Sequence, residues 1–195
     1  MNISELKAEL EKLHCSSFGW ALSCCRRDHV EAEEVLQTVY LKILEGKARF
    51  RGESSFKTWL FAVIHKTAAG ERRKNLLRKL SLVREAQGEA DGIAPVQTPD
   101  VALERSETQT RFQRALEQLP ARQQQTLHLV FYQGLSLREA ADAMDISLGS
   151  ARKHYERGKK RLRESLGKSE GESEGESEID YGVKWRGEEN PGVVS

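Results

Sequence analysis

Apolar residues in this chain recur three and four positions apart, in two blocks at about 3–78 and 109–167, and hardly ever alternate. A half-buried strand needs alternation, because successive side chains point to opposite faces; spacing by three and four lines one side of a helix. The pattern confines the chain to an all-α fold. In the first block Leu6, Leu10, Leu13 and Phe18 begin an apolar series. Ala32, Val35, Leu36, Val39, Tyr40, Ile43 and Leu44 make the stripe of a helix starting near His29, with Gly46 as its stop. After a loop at 50–55, a third helix is predicted from about Ser55 to Lys74, with Phe56, Leu60, Val63, Ile64 and Thr67 facing inward.

In the second block, Phe112, Leu116 and Leu119 predict a helix stopped by Pro120. Leu127, Val130 and Phe131 predict another, ended by Gly134. Ser136-Leu-Arg-Glu139 has the form of a capping box, a hydroxyl N-cap with a glutamate three residues on. It opens a short helix carrying Leu137, Ala140, Ala141 and Met144. Asp145-Ile146 is the turn, and Ser147 caps a last helix. The reading is two small helical domains, 3–78 and 109–167, the second with a helix-turn-helix. Between them, 79–108 holds Gly88, Gly92, Pro95 and Pro99 and reads as a flexible linker. Residues 169–178 run Ser-Glu-Gly-Glu-Ser-Glu-Gly-Glu-Ser-Glu, so 168–195 reads as a disordered acidic tail that solubilises the chain or folds back on its basic helices.

Three cysteines, Cys15, Cys24 and Cys25, lack the spacing of a disulfide framework or a zinc site and read as thiols in a reduced compartment. No cofactor is expected. No apolar run approaches the ~18–20 residues of a membrane span, and the N-terminus lacks the order of a signal peptide. The expectation is a cytoplasmic protein without membrane insertion. An enzyme is disfavoured, because no acid, oxyanion loop or phosphate loop accompanies His14, Cys15 and His29.

The net charge of +1 averages opposite blocks. Residues 46–79 hold ten Lys or Arg against two Glu, and 150–163 hold seven against one, while 81–108 and 169–195 are acidic. Two local basic patches point to a polyanion. On the last helix Leu148, Ala151, Tyr155 and Leu162 share one side, and Ser150, Lys153, His154, Arg157 and Arg161 lie opposite. Set behind a small apolar first helix, that basic face suits a duplex major groove. Ser150, Lys153, His154 and Arg157 are candidates for base edges, Arg152, Lys159 and Lys160 for phosphates, and Ser147 and Gly149 for close backbone approach. In the first block, Thr58, Phe61, Ala62, His65, Ala69 and Arg72 form the face of the Ser55 helix turned from the core. Small, aromatic and cationic groups on one face suit unpaired bases. The loop before it, with Phe50, Arg51, Ser54 and Ser55, suits an extruded base. Phe56 and Trp59 read as structural. On the 29–45 helix, Leu41 stands among Glu33, Glu34, Gln37, Thr38 and Glu45, a weak pointer to a protein partner.

Ala32-Glu-Glu-Val-Leu-Gln-Thr-Val-Tyr-Leu41, Phe50-Arg-Gly-Glu-Ser-Ser-Phe-Lys-Thr-Trp-Leu60, Ala115-Leu-Glu-Gln-Leu-Pro120 and Leu135 to Leu162 resemble runs of the extracytoplasmic-function (group 4) sigma factors of the sigma-70 family. The Phe50–Leu60 run is the most specific match. The resemblance implies a sigma-2 and a sigma-4 domain and a transcription initiation factor without catalysis of its own. It implies binding to RNA polymerase core, its β′ and β subunits, through Glu33, Glu34, Gln37, Thr38, Leu41 and Glu45. It implies −10 recognition and melting by 50–74, with Lys57, Lys66 and Arg73 joining the residues above. It implies −35 recognition by 147–161, and an anti-sigma partner. The chain departs from the family pattern at Thr38, Lys66, Gly70 and Asp145, and lacks the usual first short helix. The rival reading is a helix-turn-helix repressor acting alone, which leaves the 50–60 loop unexplained.

Overall fold

The computed structural model describes residues 2–85, 112 and 114–167, and among them every regular element is a helix. The expected tail, and the linker beyond residue 85, lie outside the described residues. α1 (Ile3–Lys12) is opened by Asn2 in a capping box with Glu5: the Glu5 amide donates to Asn2 Oδ1 at 2.8 Å and the Asn2 amide to Glu5 Oε2 at 2.9 Å. α2 (His14–Cys24) follows directly. α3 (His29–Leu44) starts where Asp28 accepts from the Glu31 amide at 3.0 Å, and Gly46 takes φ +69° just past its end. Arg26 and Arg27 both adopt positive φ, 53° and 66°, in the tight link between α2 and α3. Left-handed backbone is costly for non-glycine residues and persists only where the surroundings hold it.

α4 runs from Phe56 to Glu85. Ser55 caps it, accepting from the Thr58 amide at 3.1 Å. The helix continues past the expected end at Lys74 and through 79–85, which the sequence reading assigned to the linker. The cause is local: from Glu71 to Glu85 no glycine or proline intervenes and leucine, arginine, lysine and glutamate dominate, all good helix formers.

In the second half, α5 covers 114–117 and α6 spans Ala121–Leu127. α6 widens into a π turn over His128–Tyr132 before Gly134, at φ +66°, ends it. α7 (Leu137–Ala143) begins at the Ser136/Glu139 capping box, with Ser136 Oγ accepting from the Glu139 amide at 3.2 Å and Glu139 Oε2 accepting from the Ser136 amide at 2.9 Å. Asp145 makes the turn at φ +53°, and Ser147 caps α8 (Leu148–Gly167), accepting from the Ser150 amide at 3.1 Å.

The two halves share a core. One cluster joins Trp20, Cys24, Val35, Val39, Leu60, Phe61 and Ile64 of the first half to Leu129, Leu135, Ala140, Ala143 and Met144 of the second. α4 packs on α2 and α3 on one side and on α7 on the other. It is therefore buried on two faces over its first turns, not on the single stripe the periodicity suggested. Trp20 is fully buried at the junction; its Nε1 donates to the Phe61 carbonyl at 2.9 Å, and its ring stacks on Phe61, His65 and His128 at 6.0, 6.1 and 5.8 Å. Burying a large side chain of this kind stabilises by about 1.5–3 kcal/mol. A second, smaller cluster of Ala115, Leu116, Leu119, Leu127, Tyr155 and Leu162 holds α5, α6 and α8 together.

Candidate nucleic-acid interface

α8 presents the geometry of a recognition helix. Its inner side, Ala151, Tyr155, Gly158 and Leu162, is buried, while Arg152, Lys153, Arg157, Lys160 and Arg161 are exposed. The crossing with α6 is close because position 158 is glycine: a Cβ there would stand 3.1 Å from Leu127 Cδ1 and 3.3 Å from Gln123 Cβ. The sequence reading overlooked Gly158; its phase, three residues past Tyr155 on the inner stripe, was the available signal. Ser147 and Ser150 are joined by a 2.9 Å hydroxyl bond at the helix start, and Gly149 is exposed beside them. Lys159 lies over the Tyr155 ring at 5.0 Å and pairs with Glu156 at 3.7 Å, so it is drawn toward its own helix. Lys160 pairs with Glu164 at 3.9 Å. Arg161 Nη1 donates to Gln123 Oε1 at 3.3 Å and steadies the helix pair. His154 is half-buried; desolvation first, then Arg122 and Arg157, hold it below the ordinary histidine value.

The loop before α4 is open: Arg51, Gly52, Glu53, Ser54 and Ser55 are exposed, with Gly52 at φ +77°. Phe50, Phe56 and Trp59 form a three-ring cluster, with centroids 5.2–5.4 Å apart, that fixes the loop on the helix. Phe56 and Trp59 thus take the structural part foreseen for them, and Phe50, assigned to base contact, contributes to the same cluster. Lys66 and Arg73 are exposed and Arg72 half-buried.

Three candidates do not lie on an open face. Thr58, Phe61 and His65 are 1 %, 0 % and 7 % exposed. Contrary to the face the helical period assigned them, Phe61 and His65 both stack on Trp20 of the first half, and the second half closes over the same region. Its tethers are polar. Lys57 Nζ donates to the Gln133 carbonyl at 2.7 Å. Arg122 Nη1 approaches His65 Nε2 at 3.4 Å, and because arginine can only donate, His65 accepts as the neutral ring. Arg27 pairs with Glu117 at 3.2 Å. Burial, followed by neighbouring cations, pushes His65 and His128 each down to about 4. Burial also lowers the Lys57 ammonium, partly opposed by Glu139.

On α3, Glu33, Glu34, Gln37, Leu41 and Glu45 are exposed and Thr38 is half-buried. Leu41, at 58 % exposed, stands out among polar neighbours. The same helix borders a polar cleft lined by Glu31, Glu34, Gln37, Thr38, Glu71, Asn75 and Arg78. Elsewhere, Cys24 and Cys25 are buried, His14 pairs with Tyr40 Oη at 3.1 Å, and His29 packs tilted against the Phe18 ring at 5.8 Å. Among the described residues no group of three or more His, Cys, Asp or Glu could hold a metal ion, and no helix is long and apolar enough to cross a membrane.

A helix-turn-helix with an exposed basic second helix, joined to a second helical unit with its own basic, aromatic-bearing loop, defines a DNA-binding transcription protein. Residues 17–77 match the family model of Sigma-70 region 2, and residues 109–162 that of Sigma-70, region 4. The chain is 28% identical over 141 residues to the ECF RNA polymerase sigma factor SigX of Bacillus subtilis (strain 168), covering 72% of this chain and 73% of that one. It is 28% identical over 142 residues to the RNA polymerase sigma factor YlaC of the same organism, covering 72% and 81%. Among solved structures, the sigma factor RpoE in complex with the anti-sigma factor NepR from Bartonella quintana superposes with a TM-score of 0.63 at 25% identity, covering 85% of this chain and 98% of that one. CnrH in complex with the cytosolic domain of CnrY shares the fold, with a TM-score of 0.55 at 16% identity, covering 86% and 90%. The chain belongs to the extracytoplasmic-function sigma factors of the sigma-70 family. It is an RNA polymerase sigma factor, serving promoter recognition and transcription initiation through regions 2 and 4.

Proposed function

We infer that the work divides between residues 3–78 and 109–167, joined by the linker between them, and that it involves no catalysis by the chain itself. α3 docks on the β′ and β subunits of core polymerase through Glu33, Glu34, Gln37, Thr38, Leu41 and Glu45, with Leu41 as the apolar anchor in a polar rim. The loop 50–55 and α4 read and hold the opened −10 strand. α8 reads the −35 duplex, with Ser150, Lys153, His154 and Arg157 at base edges and Arg152 and Lys160 on phosphates. The single observation that carries this reading is the exposed basic face of α8, set on a capped α7 and held by the Gly158 crossing, within a chain that also has the open Arg51–Ser55 loop. Acting on polymerase and promoter places the protein in the cytoplasm. RpoE and CnrH each stand in complex with an anti-sigma protein, and a partner of that kind is proposed here.

The test is in vitro transcription with purified chain and bacterial core polymerase on a genomic fragment library, with transcript ends mapped. New starts that share −35 and −10 boxes and disappear with Lys153→Ala/Arg157→Ala support the reading. Duplex binding with no core binding and no new starts would move it to a stand-alone helix-turn-helix regulator.

A further inference from the structure

α8 carries a row of cations that the fold leaves without carboxylate partners. Lys153, Arg157 and Arg161 stand four residues apart, all exposed. Each step of four advances about 6 Å along the helix and turns the side chain by about 40°, so the three form one line. The helix has two carboxylates, and both serve its flanks: Glu156 reaches Lys159 at 3.7 Å and Glu164 reaches Lys160 at 3.9 Å. Among the described residues no carboxylate pairs with Lys153, Arg157 or Arg161; Arg161 donates to the neutral Gln123. The sequence places a matching row of anions just beyond the helix. Residues 169–178 put glutamate at 170, 172, 174, 176 and 178, with only serine or glycine between them. In an extended chain every second side chain falls on one face, about 6.6–6.8 Å from the last. Carboxylates at that interval meet cations about 6 Å apart in order, three over three. The tether agrees with this order. Arg161, Arg157 and Lys153 lie about 9, 15 and 21 Å back from Gly167 along the helix. With two residues spent on reversing direction, Glu172, Glu174 and Glu176 fall about 10, 17 and 23 Å back. A single exposed ion pair contributes little, but three in order on a tether this short meet at an effective concentration on the order of millimolar.

We propose that residues 170–178 dock along α8, with Glu172, Glu174 and Glu176 on Arg161, Arg157 and Lys153, and stand where a DNA duplex would otherwise lie. The effect on DNA rests on the reading of α8 as the −35 helix made above; the docking does not. Evenly spaced carboxylates offer the basic face a polyanion without base edges. A duplex must displace the segment before α8 enters a groove, so promoter and random sequence are penalised alike. Screening weakens the docked pairs as salt rises. The penalty is therefore largest at low salt, and duplex binding by the whole chain falls less steeply with salt than binding by a chain without the row.

Carbodiimide coupling, which joins a carboxylate to an amine only where the two touch, tests the docking on the full-length chain. Lys160 lies near the tether and would couple to a segment that never docked, so Lys153 is the amine that decides. Glutamates 174–178 are expected to couple to Lys153 at roughly ten times the yield at the exposed Lys7 and Lys66, as a docked population of about nine in ten implies. An excess of random-sequence duplex is expected to remove that coupling. Equal yields at Lys153, Lys7 and Lys66 overturn the proposal. Duplex affinity gives the second reading. The triple variant Glu172→Gln/Glu174→Gln/Glu176→Gln is expected to bind a dye-labelled random duplex about tenfold more tightly than wild type at roughly 50 mM salt, with the gain shrinking toward roughly 200 mM. Asp180→Asn/Glu188→Gln/Glu189→Gln removes the same charge from outside the row and is expected to leave affinity unchanged. Equal gains from the two triples overturn the proposal in favour of net charge alone. Coupling to Lys153 with no gain in duplex affinity from the first triple overturns instead the reading of α8 as the duplex-binding helix, and leaves the docking standing.

Discussion

Gly158 sets how near α8 comes to α6. Elsewhere in a helix glycine costs about 1 kcal/mol relative to alanine; here that cost is offset by contact, because the missing Cβ lets the Leu127 side chain lie against the backbone. Alanine gains helix propensity and loses fit, so it should change stability little. Valine adds bulk that Leu127 and Gln123 cannot both yield to. Gly158→Val is expected to destabilise the fold by about 1–3 kcal/mol through overpacking, measured by urea denaturation, while Gly70→Ala, where a Cβ meets nothing, should not destabilise. Trp20 is the other residue on which much rests. One ring stacks on side chains of both halves, yet in the sequence it stands in a stretch, His14 to Cys25, whose apolar residues mark no clear stripe.

Among elements, α7 depends most on its ends. It has seven residues, too few to form in water unaided, so the reciprocal bonds of Ser136 and Glu139 hold a large share of it. Ser136→Ala is expected to cost about 1 kcal/mol, seen as a lower denaturation midpoint with an unchanged slope. This cap was legible in the sequence, as were the α3 stripe, the Gly46 stop, the turn at Asp145-Ile146 and the Ser147 cap, because each depends on residues within four positions of one another. The extent of α4 was less legible: its apolar stripe fades after Thr67, and propensity alone carries it to Glu85. The covering of Thr58, Phe61 and His65 was not legible at all. Periodicity tells which way a side chain points from its own helix and nothing about what, sixty or eighty residues later, comes to lie there.

At the scale of the molecule, the contact between the two halves makes the fold sensitive to acid. His65 faces Arg122, Arg72 and Asp145, and His128 faces Arg27 and Lys57; only Asp145 favours protonation. Both rings fall from 6.5 to about 4 in the folded chain, so the folded state binds fewer protons than the unfolded one between those values. Stability therefore rises with pH across that window. Their contribution is fully present above about 6.5 and is lost as pH falls toward 4. The melting temperature is expected to be flat from neutral pH upward as far as these two groups are concerned, and to fall below pH 6. Replacing both histidines by glutamine should flatten that fall; an unchanged profile would place the acid sensitivity elsewhere.

The cysteines carry a practical consequence. Cys24 and Cys25 are buried, and burial raises both thiols, Cys25 to about 12 with Glu31 adding to the effect. A thiol reacts as its thiolate, so neither competes for an electrophile at neutral pH. Cys15 is exposed at the start of α2. The native chain thus offers one addressable atom in its first half, and a dye attached there, paired with a second on the outer face of α8, would follow the distance between the halves in a single molecule as polymerase and promoter arrive in turn.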